Sequence, residues 1–317
     1  MTDIVAGVDI GGTNTVIGFV NSQGDVLSEG RLSTADYAFA EDFVEALSAK
    51  ISEMQKGRSD LHLRGLGIGA PNANFHKGTI ELAPNLRWKG IVPLGDMMEH
   101  KTGLTVRLTN DANAAALGEM MFGAAKGMKD FIILTLGTGL GSGIVVGGEV
   151  VYGHTGFAGE LGHLTVVAGG RVCGCGRRGC LETYASATGL VRTVLNLLSD
   201  RRDDSILRSM KASEITSRRV AEAAAAGDII AAEAMDQTAH MIALGIANSV
   251  VFSSPEAIFL FGGLAQAGDA ILVPTRKYAD ELVQPVFRGT FTILPSGLPE
   301  ARAAVLGASA LIWKEIK

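Results

Sequence analysis

The chain has 317 residues, 47% hydrophobic and 19% charged, which is enough for two domains with substantial cores and too apolar for a disordered chain. Its 28 basic and 33 acidic residues leave a net charge of −5, which argues against a nucleic-acid surface. The 41 glycines fall singly or in pairs between apolar runs, as tight turns and close ligand approach require, and not as low-complexity sequence.

Met1 to Asp9 lacks a basic region followed by a long apolar stretch, so no signal peptide is expected. Ile4 to Ile10 reads as a strand, Gly11-Gly12-Thr13-Asn14 as a turn and Thr15 to Val20 as a second strand; after Asn21 to Asp25, Val26 to Leu32 supplies a third. A glycine turn of this kind brings backbone N–H groups and the Thr13 hydroxyl close to phosphate, and Asp9 beside it can hold Mg²⁺ through water. A plain hairpin turn explains the same residues.

Phe43, Val44, Leu47, Ile51 and Met54 share one face of a helix predicted over Glu41 to Met54. Leu63 to Ala70 reads as a strand running into Pro71 to Asn74. Residues 80 to 94, with Pro84, Asn85 and Trp88, read as irregular, and Leu94 to His100 as a short helix. Thr105 to Leu108 is a predicted strand, and Ala112 to Phe122 is strongly helix-forming. Asp111 stands where that strand ends and that helix begins. It is either the helix N-cap or, at the carboxyl edge of a sheet, a residue placed for chemistry; local sequence leaves both open.

The opening pattern returns: Phe131 to Leu136 is an apolar run, Gly137-Thr138-Gly139-Leu140-Gly141-Ser142-Gly143 a turn, and Ile144 to Val146 a return strand, with Val150 to Tyr152 after it. Two such units predict a duplicated architecture whose halves face one ligand. Beyond residue 185, helices are predicted over Ser186 to Leu198, Arg218 to Ala226 and Ile229 to Phe252, followed by a strand at Ala257 to Phe261. Gly262-Gly263 after that strand leaves little side chain to obstruct a flat ring such as adenine. Ala301 to Trp313 is a final apolar helix able to pack back on the first domain. The uncharged stretches 131 to 148 and 237 to 255 are interrupted by six glycines and by Gln237, His240 and Asn248, so neither is expected to span a bilayer. A cytoplasmic location is expected, in keeping with cysteines held as thiolates.

Every cysteine lies within residues 160 to 182, behind one histidine, in the spacing His163-x9-Cys173-x-Cys175-x4-Cys180. Three thiolates and an imidazole supply a tetrahedral Zn²⁺ site, and a closed four-ligand site is normally structural. A disulfide is the competing explanation. Cys173 and Cys175 are poorly spaced to bridge each other, and an odd count leaves one thiol over. A metal here would also fix Glu160 and Glu182 at the two ends of the loop.

With Asp9-Ile-Gly-Gly-Thr13, Asn110-Asp111, Glu160-Leu-Gly-His163, Cys173-Gly-Cys-Gly-Arg-Arg-Gly-Cys180-Leu-Glu182 and Phe261-Gly-Gly263 in this order, the sequence resembles the ROK family of sugar kinases and repressors, and within it the bacterial glucokinases. The resemblance implies an α/β protein of the actin-like ATPase (ribonuclease H-like) fold, with two α/β domains and a cleft between them. The smaller is expected over 1–111 plus 301–317 and the larger, carrying the zinc loop, over 112–300. It implies a homodimer that uses ATP, Mg²⁺ and a structural Zn²⁺ to phosphorylate the 6-hydroxyl of a hexose. Asp9, Gly11, Gly12 and Thr13 would form the first phosphate loop, Gly137, Thr138 and Gly139 the second, and Gly262 and Gly263 the adenosine wall. Asn85, Asn110, Asp111, Glu160, His163 and Glu182 would contact the sugar, with Asp111 as general base; His163, Cys173, Cys175 and Cys180 would bind zinc. The zinc loop would hold the sugar without touching ATP. Repressors of the family carry an N-terminal helix-turn-helix, for which residues 1–8 leave no room, so an enzyme is expected before a sugar-responsive regulator. The family's Gly-x-Pro-Gly loop reads Gly69-Ala-Pro-Asn72, which places an asparagine side chain near the sugar and leaves the preferred hexose open among glucose, N-acetylmannosamine, N-acetylglucosamine and fructose. No nucleic-acid or membrane partner is expected.

Overall fold

In the computed structural model, which describes residues 1–316, the first three apolar runs form an antiparallel meander of β1 (Thr2–Ile10), β2 (Asn14–Asn21) and β3 (Val26–Ser33). The helix α1 (Ala40–Gln55) buries Phe43, Val44, Leu47 and Ile51 and leads into β4 (Leu61–Gly69), which returns parallel to β1. Three short strands follow, β5 (Ala73–Asn74), β6 (Thr79–Glu81) and β7 (Ile91–Val92). The stretch 80 to 94 is therefore partly paired and not wholly irregular. Its strands are too short to leave a periodic signature. The helix α2 (Leu94–Thr102), the strand β8 (Thr105–Thr109) and the helix α3 (Asp111–Phe122) complete this part, giving a sheet of order β3-β2-β1-β4-β8.

The second half repeats the scheme. β9 (Phe131–Leu136) pairs antiparallel with β10 (Leu140–Val146), and β11 (Glu149–Val150) forms the edge. The turn predicted over 137 to 143 is shorter, because Gly141 and Gly143 are already paired with Thr135 and Ile133. After the loop bearing the cysteines come α4 (Ala187–Asp200), α5 (Ser217–Ala225), α6 (Ile229–Ser253), β12 (Ala257–Phe261), α7 (Asp269–Leu282), β13 (Thr292–Pro295) and α8 (Ala303–Glu315). The sheet order is β11-β10-β9-β12-β13, with β9, β12 and β13 parallel, so each sheet places its first strand between its second and fourth. Two copies of this arrangement are the duplicated α/β architecture of the actin-like ATPase fold. Among the described residues no helix is long and apolar enough to cross a membrane.

Two compact units result, residues 1–127 with 150–158 and 297–316, and residues 128–149 with 159–296. The boundary expected after residue 111 thus falls after Gly127, and Lys317 of the expected first domain lies outside the described residues. The reason is α3, which packs along α8 so closely that a Cβ on Gly118 would stand 2.9 Å from the Gly307 Cα. In turn α8 lies directly on the first sheet: Gly7 faces the Val305 carbonyl and Gly67 the Ala308 carbonyl, with no room for a side chain at either position. Segment 150–158 joins the same unit through Tyr152, whose ring stacks on Phe75 at 4.1 Å, and through the Thr155 carbonyl, which accepts from Asn74 Nδ2 at 2.9 Å.

Candidate functional site

In the first unit the strand register sets the chemistry. Asp9 of β1 pairs with Gly69 of β4, and Gly69 with Thr109 of β8, so Asp9 and the Asn110-Asp111 corner stand at the carboxyl edge shared by the three parallel strands β1, β4 and β8. The N-cap, one of the two alternatives at Asp111, is its neighbour. Asn110 is the N-cap, its Oδ1 accepting the Asn113 N–H at 2.8 Å, and Asp111 is the first residue of α3 with its carboxylate not committed to capping. Protein packed around Asp111 raises its pKa although its side chain keeps a path to solvent, and its own backbone N–H opposes that shift in part. Asp9 is pushed up to about 6, first by burial and then by the charge of Asp111.

The first glycine turn is closed by the Gly11 N–H donating to the Asn14 carbonyl at 3.0 Å, and Thr13 is exposed at its tip. Gly12 lies against Asn85: a Cβ there would stand 2.5 Å from the Asn85 carbonyl oxygen. The Asn85 loop is held by Arg87 Nη1 donating to the Ala35 carbonyl at 2.8 Å and by Trp88 Nε1 donating to that of Tyr37 at 3.2 Å. Asn72 occupies the left-handed region, φ 52°, which asparagine tolerates where glycine is the usual residue. Its Nδ2 donates to the carbonyls of Glu81 at 3.1 Å and Leu82 at 3.4 Å. Asn72 thereby braces the strand that leads into the Asn85 loop.

In the second unit the four side chains expected to ligate a metal meet. The ligand atoms of His163, Cys173, Cys175 and Cys180 lie within 4.8 Å of one another, and no disulfide joins the thiols. The Cys175 and Cys180 sulfurs are 3.7 Å apart, and Cys173 Sγ is 3.6 Å from His163 Nδ1. Tetrahedral zinc with ordinary bond lengths separates two sulfurs by about 3.8 Å and a sulfur from a nitrogen by about 3.6 Å, so this donor set fits the ion. Burial, then the Glu182 carboxylate beside it, push the Cys173 thiol up, an arrangement that a cation reverses by binding the thiolate. Turn hydrogen bonds shape the loop, Gly176 N–H to the Cys173 carbonyl and Cys173 N–H to that of Arg177.

His163 turns Nδ1 to the cluster and leaves Nε2 on the side of Glu160, whose Oε2 is 3.9 Å away. Glu160 is exposed, and Glu182 reaches from the cluster toward Gly139 of the second glycine turn. That turn ends β9, where Thr135 pairs with Phe261 of β12, so Gly137, Thr138 and Gly139 share a carboxyl edge with Gly262 and Gly263. Gly262 has φ 98° and lies against the Leu136 carbonyl, while Gly263 is exposed with nothing near the place of a Cβ. Sequence reasoning missed Arg171, inside the zinc loop. It donates to the carbonyls of Thr183 and Gly189 and to Thr193 Oγ1, and lies 4.5 Å over the Tyr184 ring, tying the loop to α4. A lone arginine between glycines and ligand cysteines was the available signal.

A family profile described as "ROK family" matches residues 5–315. A glucokinase of Halalkalibacterium halodurans is 37% identical over 286 residues, covering 88% of this chain and 86% of its own. The crystal structure of a ROK family glucokinase from Streptomyces griseus in complex with glucose and AMPPNP is 35% identical, with a TM-score of 0.80 over 97% of this chain and 98% of that one. A ROK family transcriptional regulator is 26% identical, with a TM-score of 0.88 over 99% of this chain and 78% of that chain.

Proposed function

This chain belongs to the ROK family, and on that premise we propose that it is an ATP-dependent hexose kinase acting on the 6-hydroxyl, with glucose the preferred acceptor. The observation that carries the reading is the carboxyl edge of the first sheet: Asp111, relieved of capping by Asn110, in line with Asp9 and next to a glycine turn. Phosphoryl transfer asks little covalent chemistry of a protein; it asks for a positioned nucleophile, balanced phosphate charge and exclusion of water.

In this reading Asp111 accepts the 6-hydroxyl proton as that oxygen bonds to the γ-phosphorus and the bond to the leaving ADP oxygen breaks. The N–H groups of the Gly11–Thr13 and Gly137–Gly139 turns hold phosphate, and Gly262 and Gly263 leave a flat surface for adenine. Asn85, Asn110, Glu160, His163 and Glu182 fix the sugar hydroxyls. Asp9 and Asp111 are hard oxygen donors whose charges oppose one another, which suits a phosphate-bound Mg²⁺ held by Asp9. When bound, that ion neutralises phosphate charge. Zinc on His163, Cys173, Cys175 and Cys180 is structural. The reading extends to a cytoplasmic homodimer.

General-base assistance supplies about 10² to 10⁴ in rate, so Asp111→Asn should lose turnover on that scale while binding glucose normally. Because the Asp111 pKa is raised, kcat/KM of the parent should fall on the acid side from a pH above the usual carboxylate value of about 4, and that limb should vanish in the variant. Near-normal turnover in Asp111→Asn would reject the assignment. Likeness to a regulator favours a second reading, a sugar-responsive protein without catalysis. Coupled assays of ATP turnover with glucose, mannose, fructose, N-acetylmannosamine and N-acetylglucosamine separate the two readings and rank the acceptors.

A further inference from the structure

The loop that gathers the metal ligands does not end at them. Glu182 stands two positions beyond Cys180, on the short turn Leu181–Thr183. Its Oε1 lies 2.9 Å from Cys173 Sγ, which can donate to it only while that sulfur is a thiol, and 3.7 Å from His163 Nδ1. Its Oε2 faces the other way. A Cβ built on Gly139 would stand 2.7 Å from that oxygen, so the carboxylate fills the space beside the middle of the second glycine turn.

Two further contacts join the same pair of segments. The Ala187 N–H, at the start of α4 just past the zinc loop, donates to the Gly137 carbonyl at 2.9 Å. Gly162, next to His163, abuts the Leu140 carbonyl where β10 resumes, again with no room for a side chain. All of these residues belong to the second unit.

We propose that Glu182 is a positioning residue for the nucleotide turn: the metal loop fixes the carboxylate, the carboxylate walls in Gly139, and nucleotide affinity therefore depends on the metal even with no sugar present. The proposal rests on the assignment of Gly137–Gly139 to phosphate made under the proposed function. A glycine turn offers its N–H groups to an anion only while its backbone holds one shape, and glycines lose the most freedom in taking that shape. A fixed wall on one side removes competing shapes before the ligand arrives. Coupling of this kind is reciprocal, so bound nucleotide must in turn retain the metal.

The test uses the full-length protein, its zinc content measured, and Mg·AMPPNP without sugar. Isothermal titration should show AMPPNP binding weakened by about 5-fold or more in Glu182→Ala, a variant that keeps all four metal ligands, and in the chelated parent protein. Gly139→Ala, which pushes on Glu182, should weaken AMPPNP and also speed zinc transfer to a chelator. In the parent, saturating AMPPNP should slow that transfer; in Glu182→Ala it should not. A folded, zinc-loaded Glu182→Ala with the parent's AMPPNP affinity, or zinc transfer from the parent indifferent to AMPPNP, overturns the coupling alone. A parent protein that binds no AMPPNP overturns the phosphate assignment and the coupling with it.

Discussion

At the scale of single residues, a carboxyl buried at the edge of the first sheet weakens the fold. The residue is Asp9. Its carboxyl is pushed up to about 6 by burial and by Asp111, against about 4 for the unfolded chain, so between those pH values the folded protein keeps a proton that the unfolded chain has released. Stability from this group is therefore present below about pH 4, falls as pH rises through 6, and stays lost above it. Asp9→Asn removes the penalty. At pH 7.5 it should be more stable than the parent by about 1–3 kcal/mol in urea denaturation, with the gain gone at pH 4, while phosphoryl transfer drops. A variant less stable than the parent at pH 7.5 would show that Asp9 is not an unfavourable charge. At this scale the cysteine and histidine spacing and the two Gly-Thr turns were legible, because each needs only neighbours in sequence. Asn72 was not: its backbone sign and its reach to Glu81 and Leu82 depend on a strand whose pairing leaves no periodic trace.

Among the elements, those with a full period on one face were legible: the meander, α1, α4 and α6 lie where apolar spacing placed them. The helix α7 was not read, since Pro274 inside it resembles a break, and β13 is only Thr292–Pro295. The seat of α8 on the sheet was legible only in part. An apolar helix announces that it packs, but the glycines at 7 and 67 that admit it look like any turn glycine until the helix is in place. Gly67→Ala tests that seat. Its methyl would overlap the Ala308 carbonyl, part of a helix backbone that cannot yield locally, so the variant should lose about 1–3 kcal/mol of stability. An unchanged denaturation midpoint would mean that α8 shifts without penalty.

For the whole molecule, the duplication has an energetic consequence. The core around Ile4, Phe19, Phe43, Leu66 and Ile68 and the core around Ile132, Leu134, Leu190, Ile246 and Ile258 are separate clusters, and each belongs to one unit. The cysteines and His163 lie entirely in the second. Binding free energy of a structural metal is stability given to whatever its ligands hold together, and here the four side chains close the loop that carries Glu182 and that Arg171 ties to the start of α4. Hydrogen exchange should therefore respond regionally to a chelator. Amides of residues 160–184 and of the Gly137–Leu140 turn should lose most of their protection, the β9 and β12 amides less, and those of β1, β4 and α8 little, because their hydrogen bonds close over a core the metal does not touch. Equal loss of protection in β1 and in the metal loop would instead mean that the two cores open as one cooperative body, and the metal would then stabilise the chain as a whole.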